Sequence, residues 1–367
     1  MALLCLLALS LLVQSATQQS REWSNEQRWF EQKAVDHFTR QLAPIRILHV
    51  SFSAFDKCRH DNARNPYGLA KARLHVSCPL GHRSQCRLHD TPTDVSPVKI
   101  VDCQLAGELT SYGHGRVLAA LCYQNHTKSS SVSRESRLKE ALSKETQEIP
   151  AGVLCRKWRY AGTELPRLQV PEHLKSTYSR VLLYEPASLE RSSGYASRSR
   201  EVSSENRITN PYERTGFAGK GILQNYGPNA AINLLITRYS YGTTKVLIED
   251  SDDYTALPRF WVKNGPVDHN LIKKKLQKLN YRCRASEIND MVITKQQYHK
   301  GYLRDKQNTD HAWLDGPIIH LHDNSAEGCF TPYPVHADVK SRQYRWIVVP
   351  DSTTPRDFAL SLVANYK

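Results

Sequence analysis

Apolar residues alternate or cluster in three short stretches in the first half of the chain. These stretches are Arg73–Ser77, Pro97–Asp102 and Arg116–Tyr123, and each contains or adjoins a cysteine. An alternation with a period of two is typical of a strand that buries one face. The pattern therefore predicts a small β-rich module over residues 40–125.

The second half contains a strand pattern and a helical pattern. Lys245–Glu249 is strand-like, and a later segment has an apolar stripe typical of a short amphipathic helix, formed by Leu271, Ile272, Leu276 and Leu279. Most of the lysines fall outside this stripe, at positions Lys273, Lys274, Lys275 and Lys278. Two interpretations stay open: a basic face in contact with water, or a face that holds the phosphates of a ligand.

The first residues have the pattern of a secretory signal peptide. Leu3–Val13 is apolar, and the small residues Ser15 and Ala16 follow it before a polar stretch. This run is too short to span a bilayer, which needs about 20 apolar residues. We expect a protein without a transmembrane segment, located in the lumen of the secretory pathway or outside the cell.

The remaining composition divides the chain further. Residues 129–151 are Ser-rich and charged in a way that predicts a linker, and Ser192–Arg207 has the composition of an exposed loop. The predicted organisation is a signal peptide (1–16), a Cys-rich module (17–128), the linker and a second domain (152–367). A length of 367 residues fits two folded parts.

The cysteine count agrees with the secretory route. Without Cys5 in the signal peptide, eight cysteines are disulfide candidates: Cys58, Cys78, Cys86, Cys103, Cys122, Cys155, Cys283 and Cys329. The pairing of the first six stays open, and Cys283 and Cys329 are candidates for one bridge in the second domain. A zinc site is the alternative for the first half, but the spacings lack the paired units that zinc sites favour. Asn125 begins a glycosylation sequon.

The net charge of +14 favours anionic partners. Nucleotides and polyanionic extracellular surfaces both fit this charge. No nucleic-acid-binding module is recognisable, so nucleic acid is not an expected partner.

Three runs in the second half contain several residue types at fixed spacings. The first extends from Asn210 to Ala231 and reads NPYERTGFAGKGILQNYGPNAA, with Thr237 and Arg238 after it. The third contains a Gly-Tyr pair at 301–302, the sequence NTDHAW at 308–313 and a His-Asp pair at 322–323. Such a combination in order is far more specific than a single glycine motif.

These runs resemble the signature of the ADP-ribose pyrophosphatase branch of the Nudix hydrolases. The same signature occurs in the Nudix-like end domain of melastatin-type cation channels. The resemblance extends over roughly 140 residues and implies an α/β fold, the Nudix α/β/α sandwich with a mixed sheet. It also implies an active enzyme that splits ADP-ribose to AMP and ribose 5-phosphate with Mg²⁺ as cofactor.

The middle run departs from the family pattern. Phe260–Asp268 retains a tryptophan, one glycine and a Val-Asp pair, but the segment His269–Tyr281 contains no acidic residue. In the family this segment supplies the glutamates of the Nudix box. Mg²⁺ needs carboxylate oxygens, which lysine cannot replace. We therefore expect impaired catalysis, no certain catalytic or metal residue, and retained binding of ADP-ribose or a related nucleotide.

Other acidic residues and other functions stay as alternatives. Asp250, Asp252, Asp253, Asp268 and Glu287 are the candidates for a replacement metal site. An active pyrophosphatase would need them, whereas an extracellular interaction protein would have lost the nucleotide altogether.

Candidate ligand-binding residues follow from the resemblance and from side-chain chemistry. Arginines form planar paired hydrogen bonds with phosphates, glycines allow a close approach of the backbone, and aromatic rings stack on bases. Gly216, Gly219 and Gly221 have the alternative role of shaping a turn against the core. The predicted ligand-binding residues are Arg214, Gly219, Gly221, Arg238, Tyr302, Asp310 and Trp313.

Overall fold

The computed structural model describes residues 26–58, 66–77, 99–109, 116–124, 153–189, 208–250, 255–262, 268–279, 283–325, 328–330 and 343–364. Contacts group these residues into two compact units. The first contains the described residues up to Arg159 together with Glu164–Ala187, and the second contains Tyr160–Thr163 and the described residues from Ser188 onward. Within these ranges, no helix has the length and apolar character required to cross a membrane.

The first unit is built on an antiparallel sheet whose five strands pair in chain order. The strands are β1 (Arg46–Cys58), β2 (Tyr67–Ser77), β3 (Lys99–Glu108), β4 (Val117–Gln124) and β5 (Leu183–Glu185). A helix, α1, covers residues 26–41. Its apolar positions Phe30, Ala34 and Phe38 recur every four residues and pack into one core with the sheet. The three strand-like stretches of the sequence lie in β2, β3 and β4 where the structure describes them.

Among the described residues, two disulfides join parts of the first unit. Cys58 bonds to Cys155, and Cys103 bonds to Cys122 on the neighbouring strand. These four residues were among the predicted disulfide candidates. Cys78 and Cys86 lie outside the described residues, as do the predicted signal peptide and the linker.

The first unit continues beyond the domain boundary predicted at residue 152. A short helix, α2 (Val153–Lys157), begins with the backbone N–H of Leu154 donating to the Asp56 carboxylate at 2.8 Å. Later, β5 pairs with β4. The contacts of this unit therefore include residues that the sequence assigned to the second domain.

The second unit is built on a mixed sheet around one long strand. Its strands are β6 (Gly227–Ser240), β7 (Thr243–Asp250), β8 (Thr255–Ala256), β9 (Arg259–Trp261), β10 (Gln296–His299), β11 (Tyr302–Leu303), β12 (Ala312–Asp315), β13 (Ile318–His322) and β14 (Gln343–Val348). Strand β6 pairs in parallel with β12 and β13 and antiparallel with β7 and β9. The helices are α3 (His269–Leu279), α4 (Ala285–Ile293) and α5 (Pro355–Ala364). The predicted mixed sheet with helices is confirmed.

Alternate residues of β6 enter two different apolar clusters. Ile232, Leu234 and Ile236 pack with residues of α3 and α4. Ala231 and Leu235 pack with residues of β12, β14 and α5. Because successive side chains of a strand point to opposite faces, α3 and α4 lie on one side of β6 and α5 on the other.

Candidate functional site

Helix α3 is the helix that the apolar stripe predicts. Ile272 and Leu276 are buried in the cluster that covers β6. The first turn of the helix contains no acidic residue. The exposed Lys274 and the partly buried Lys273 and Lys275 therefore give this helix a basic surface.

Two of the candidate replacement carboxylates cap helices. An Asp268 carboxylate oxygen accepts the backbone N–H of Leu271 at 2.7 Å at the start of α3. A Glu287 carboxylate oxygen accepts the backbone N–H of Arg284 at 2.7 Å at the start of α4. Both carboxylates thus satisfy backbone donors that a helix N-terminus leaves free.

The residues present around α3 do not fit a bound Mg²⁺. Magnesium requires oxygen ligands in octahedral geometry, and the polar side chains of α3 are those of lysine, asparagine, glutamine and histidine. Among the described residues, no three His, Cys, Asp or Glu side chains form a potential metal site. Asp252 and Asp253 and the side chain of Asp250 lie outside the described part.

Two motif runs hold each other by hydrogen bonds, and we call residues 210–221 and 308–313 together the landmark region. The Asp310 carboxylate accepts the backbone N–H of Thr215 at 2.6 Å and its hydroxyl at 2.8 Å. The backbone N–H of Asp310 donates to the carbonyl of Phe217 at 2.8 Å. The Thr309 hydroxyl donates to the carbonyl of Gly219 at 2.6 Å. Asp310, a predicted ligand-binding residue, is therefore buried within this network.

The two predicted glycines lie in the same network. The Gly219 N–H donates to Nδ1 of His311 at 2.9 Å, so this donor is engaged inside the protein. Gly221 has a φ of +59°, and a Cβ at this position would lie 2.1 Å from the Tyr160 hydroxyl oxygen. The close approach of Tyr160 thus requires glycine here. Arg214 lies partly buried in the same loop.

Arg238 packs against a turn near the second-unit disulfide. A Cβ on Gly328 would lie 1.8 Å from a guanidinium nitrogen of Arg238, so a larger residue here would displace the end of this side chain. The next residue, Cys329, bonds to Cys283, the pair that the sequence suggested. Within the described residues, the Nε atom of Arg238 is buried and has no hydrogen-bond partner. A guanidinium N–H group of this kind can donate a hydrogen bond to an anionic ligand.

Tyr302 is held from several directions. Its hydroxyl donates to a Glu213 carboxylate oxygen at 2.6 Å and accepts from the Asn308 amide at 3.3 Å. Burial and the neighbouring Glu213 carboxylate raise the pKa of Tyr302 well above its ordinary value. The Tyr302 hydroxyl is therefore a hydrogen-bond donor throughout the physiological pH range.

An exposed tyrosine covers the ring of Tyr302. The rings of Tyr212 and Tyr302 stack with centroids 4.1 Å apart and an interplanar angle of 16°. The Trp313 ring meets Tyr212 nearly edge-on at 6.2 Å. Trp313 is 6% exposed, and its indole Nε1 has no hydrogen-bond partner in the described part of the chain. Sequence reasoning did not single out Tyr212, because it lies at a variable position of the motif.

Three of the predicted ligand-binding residues share the α3 side of the sheet. Arg238 lies two residues after Ile236 on β6, so both side chains point to the same face. Trp313 pairs with Pro228, and the side chain of Pro228 points to this face because it lies an even number of residues before Ile236. Tyr302 pairs with Asp315 on β12, two residues from Trp313. Since alternate residues face the same way, these three side chains lie on the face that α3 covers. We call this side of the mixed sheet the α3 face.

A buried ion pair was missed by sequence reasoning. The Arg259 guanidinium donates to the Asp305 carboxylate, and it also donates to the side-chain oxygens of Asn233 at 2.9 Å and Gln307 at 3.1 Å. Arg259 and Asp305 are 46 residues apart in sequence, and no local motif links them. Buried charges of this kind require such pairing.

Four polar side chains form a hydrogen-bonded chain on the opposite face. His320 contacts the Tyr298 hydroxyl at 2.8 Å and the Thr237 hydroxyl at 2.7 Å, and His322 contacts the same Thr237 hydroxyl at 2.8 Å. Burial, together with neighbouring His322, lowers the pKa of His320 to about 4. His320 is therefore neutral at physiological pH. Its signal in the sequence, two histidines with a spacing of two on a strand, was weak.

Several curated proteins are similar to part of this chain, and three of them are described below. A Transient receptor potential cation channel subfamily M member-like 2 from Nematostella vectensis is 26% identical over 160 residues, which cover 37% of this chain and 10% of the channel. The Putative nudix hydrolase 6 of Caenorhabditis elegans is 26% identical over 149 residues, 39% of this chain and 56% of that protein. The mitochondrial ADP-ribose pyrophosphatase of Rattus norvegicus is 25% identical over 173 residues, 40% of this chain and 49% of that enzyme.

The similarity is thus partial on both sides. The chain spans between 10% and 56% of the length of these relatives. No family model matches the chain. The crystal structure of a C. elegans Ap4A hydrolase aligns with 12% identity and a TM-score of 0.22 over 36% of this chain and 88% of that one. The resemblance to Nudix hydrolases that the motifs predicted is confirmed by the curated relatives.

Proposed function

We propose that the second unit is a Nudix α/β/α sandwich that binds ADP-ribose or a related nucleotide and has lost efficient hydrolysis. The observation that carries this proposal is the composition of helix α3. This helix lies where the resemblance places the Nudix box, yet it contains lysines in place of the glutamates. The arrangement of apolar clusters on both sides of β6, one with α3 and α4 and one with α5, supports the three-layer description.

The electrostatics of the α3 face support binding rather than hydrolysis. Hydrolysis of a phosphoanhydride uses a metal ion to neutralise developing charge and to activate water. Lysine ammonium groups neutralise phosphate charge but do not lower the pKa of a bound water as Mg²⁺ does. In this proposal, the α3 lysines and Arg238 hold the diphosphate, while Tyr302 and Trp313 lie towards the nucleoside.

The proposal is tested by following binding and product formation in one sample. Purified, disulfide-intact protein is titrated with ADP-ribose, and the same mixture is assayed for AMP by chromatography. We expect saturable binding without AMP. AMP released in proportion to the protein concentration would show that hydrolysis persists.

Arg238 gives the sharpest mutational test of the binding face. Replacement of Arg238 by alanine removes a charge-assisted hydrogen bond, so ADP-ribose should bind more weakly by about 1.5–3 kcal/mol, roughly 10- to 100-fold. Arg356→Ala is the matched control, because Arg356 is exposed on α5, which packs on the opposite side. Equal losses in both variants would indicate a general charge effect.

A scaffold without a nucleotide ligand is the second candidate function. The landmark region favours it, since Asp310, Thr309 and Gly219 are engaged with each other and with their neighbours. In that case the motifs persist because they hold the fold together. Absence of ADP-ribose binding in a folded protein would support this candidate.

We also propose secretion, which is supported by the apolar N-terminal run and by three disulfides. Expression in cultured animal cells should release the protein into the medium. Deletion of residues 1–16 should retain it in the cell, and retention of both forms would contradict the proposal.

Glycosidase sensitivity that disappears in Asn125→Gln would show that the sequon at Asn125 carries a glycan.

A further inference from the structure

The most informative feature that the proposed function leaves unexplained is the stack of Tyr212 on Tyr302. Tyr212 is 51% exposed, although an aromatic ring gains most when it is fully buried. Its hydroxyl makes no hydrogen bond within the part of the chain that the structure describes. The side chain is therefore held mainly by its contacts with two other rings.

The loop backbone under Tyr212 is anchored independently of that side chain. The backbone N–H of Tyr212 donates to the side-chain oxygen of Asn210 at 3.0 Å, and the side-chain amide of Asn210 donates to the carbonyl of Thr309 at 3.3 Å. Rotation about the Tyr212 side-chain bonds thus moves the ring without breaking these hydrogen bonds.

The tryptophan that meets this ring nearly edge-on lacks a hydrogen-bond partner that a ligand could supply. Trp313 is buried, and its Nε1 donates to no acceptor among the residues that the structure describes, although buried indole N–H groups normally find one. A tyrosine ring offers no in-plane acceptor. A nucleobase is a planar ring of similar size that carries nitrogen and oxygen acceptors at its edge.

We propose that Tyr302 and Trp313 form a subsite for a nucleobase and that the ring of Tyr212 occupies this subsite in the unliganded protein. The base stacks on Tyr302 after Tyr212 swings out, and it accepts the hydrogen bond of Trp313 Nε1. Tyr212 therefore competes with the ligand. This inference rests on the proposed function only for the identity of the complete nucleotide, since the subsite itself recognises a base without phosphates.

Removal of the competing ring gives a direct test. Adenosine, ADP-ribose and inorganic pyrophosphate are each titrated into wild type and Tyr212→Ala. Aromatic pairs contribute stacking equivalent to roughly a 2- to 10-fold change in affinity. Tyr212→Ala should bind adenosine and ADP-ribose more tightly by about this factor, with pyrophosphate binding unchanged. Equal or weaker binding of both adenosine and ADP-ribose by Tyr212→Ala would overturn the inference.

A matched control and a second measurement keep the test independent of folding. Tyr239→Ala removes another exposed tyrosine, which lies near the end of β6, and should leave all three affinities as in wild type. In wild type, adenosine should shift the indole N–H resonance of Trp313, assigned by its loss in Trp313→Phe. An unchanged resonance at saturating adenosine would contradict the subsite.

The outcomes of these titrations distinguish this inference from the proposed function. Adenosine binding that strengthens in Tyr212→Ala, without any binding of ADP-ribose or pyrophosphate to the α3 face, would retain the subsite and reject the proposed function. ADP-ribose binding that depends on Arg238 but not on Tyr212 would retain the proposed function and reject the subsite. No binding of any probe to folded protein would reject both.

Discussion

The landmark region and helix α3 both lie in the part of the chain that resembles the Nudix signature, but their side chains make different contacts. In the landmark region, polar side chains are buried and bond to one another. On α3, one face is buried by Ile272 and Leu276, while the remaining positions need only be compatible with a helix. The comparison teaches that the recognisable motif lies where buried polar groups bond to one another, and that the chain departs from the family pattern on a helix that contributes mainly apolar side chains to the core.

The largest effect should come from breaking the landmark region at Asp310. Asp310→Ala leaves the buried backbone N–H and hydroxyl of Thr215 without their acceptor. We expect a loss of about 3 kcal/mol in the free energy of unfolding, measured with urea. Asp351→Ala, at an exposed turn, is the control. A loss below about 1 kcal/mol for Asp310→Ala would mean that this network is not a structural requirement.

A second test adds a single methyl group to the landmark region. Gly221→Ala combines a positive φ with a clash against the Tyr160 hydroxyl. The free energy of unfolding should fall by about 2 kcal/mol. Gly242→Ala is a useful control, because Gly242 also has a positive φ of +74° but no atom within 4 Å of the added Cβ. Equal losses would assign the effect to the backbone alone.

A smaller effect is expected at the start of α3. Asp268→Ala removes the acceptor for the backbone N–H of Leu271, so the protein should lose about 1 kcal/mol of stability. Asp268→Asn should retain most of it, because the asparagine side chain also caps helices. If Asp268 instead held a metal, Mg²⁺ would raise the midpoint of thermal unfolding in wild type but not in Asp268→Asn.

The smallest effect on stability should come from the exposed face of α3. Lys274→Ala should change the free energy of unfolding by less than about 0.5 kcal/mol. If the lysine face binds phosphate, the same variant should weaken ADP-ribose binding by about two- to fivefold. Lys33→Ala, on α1 of the first unit, is the control. An unchanged affinity in Lys274→Ala would favour a solvated basic face.

The sequence predicted those features that are local in the chain. The stripe of Ile272 and Leu276 predicted α3, and the two late cysteines predicted the bridge between Cys283 and Cys329. Strand β7 contains the strand-like Lys245–Glu249 segment. In each case a periodic pattern or a small number of possible partners limited the alternatives.

Features that depend on distant partners were not predictable in the same way. β5 has only three residues, too few to display a period, and its pairing with β4 extends the first unit past residue 152. The Arg259–Asp305 pair and the stack of Tyr212 on Tyr302 join separate segments. The sequence gives the chemistry of each side chain, but only the fold determines which of them meet.

The most direct test of the account is the effect of Mg²⁺ on ADP-ribose binding to α3 and its neighbours. Calorimetric titration of the wild-type protein with ADP-ribose is performed with Mg²⁺ and then with a chelator. A lysine-based site predicts binding that persists in the chelator with an affinity at least as high as with Mg²⁺, because Mg²⁺ on the diphosphate competes with the lysines. Binding that requires Mg²⁺, with AMP in the recovered sample, would contradict the claim that α3 has exchanged metal chemistry for charge-based binding.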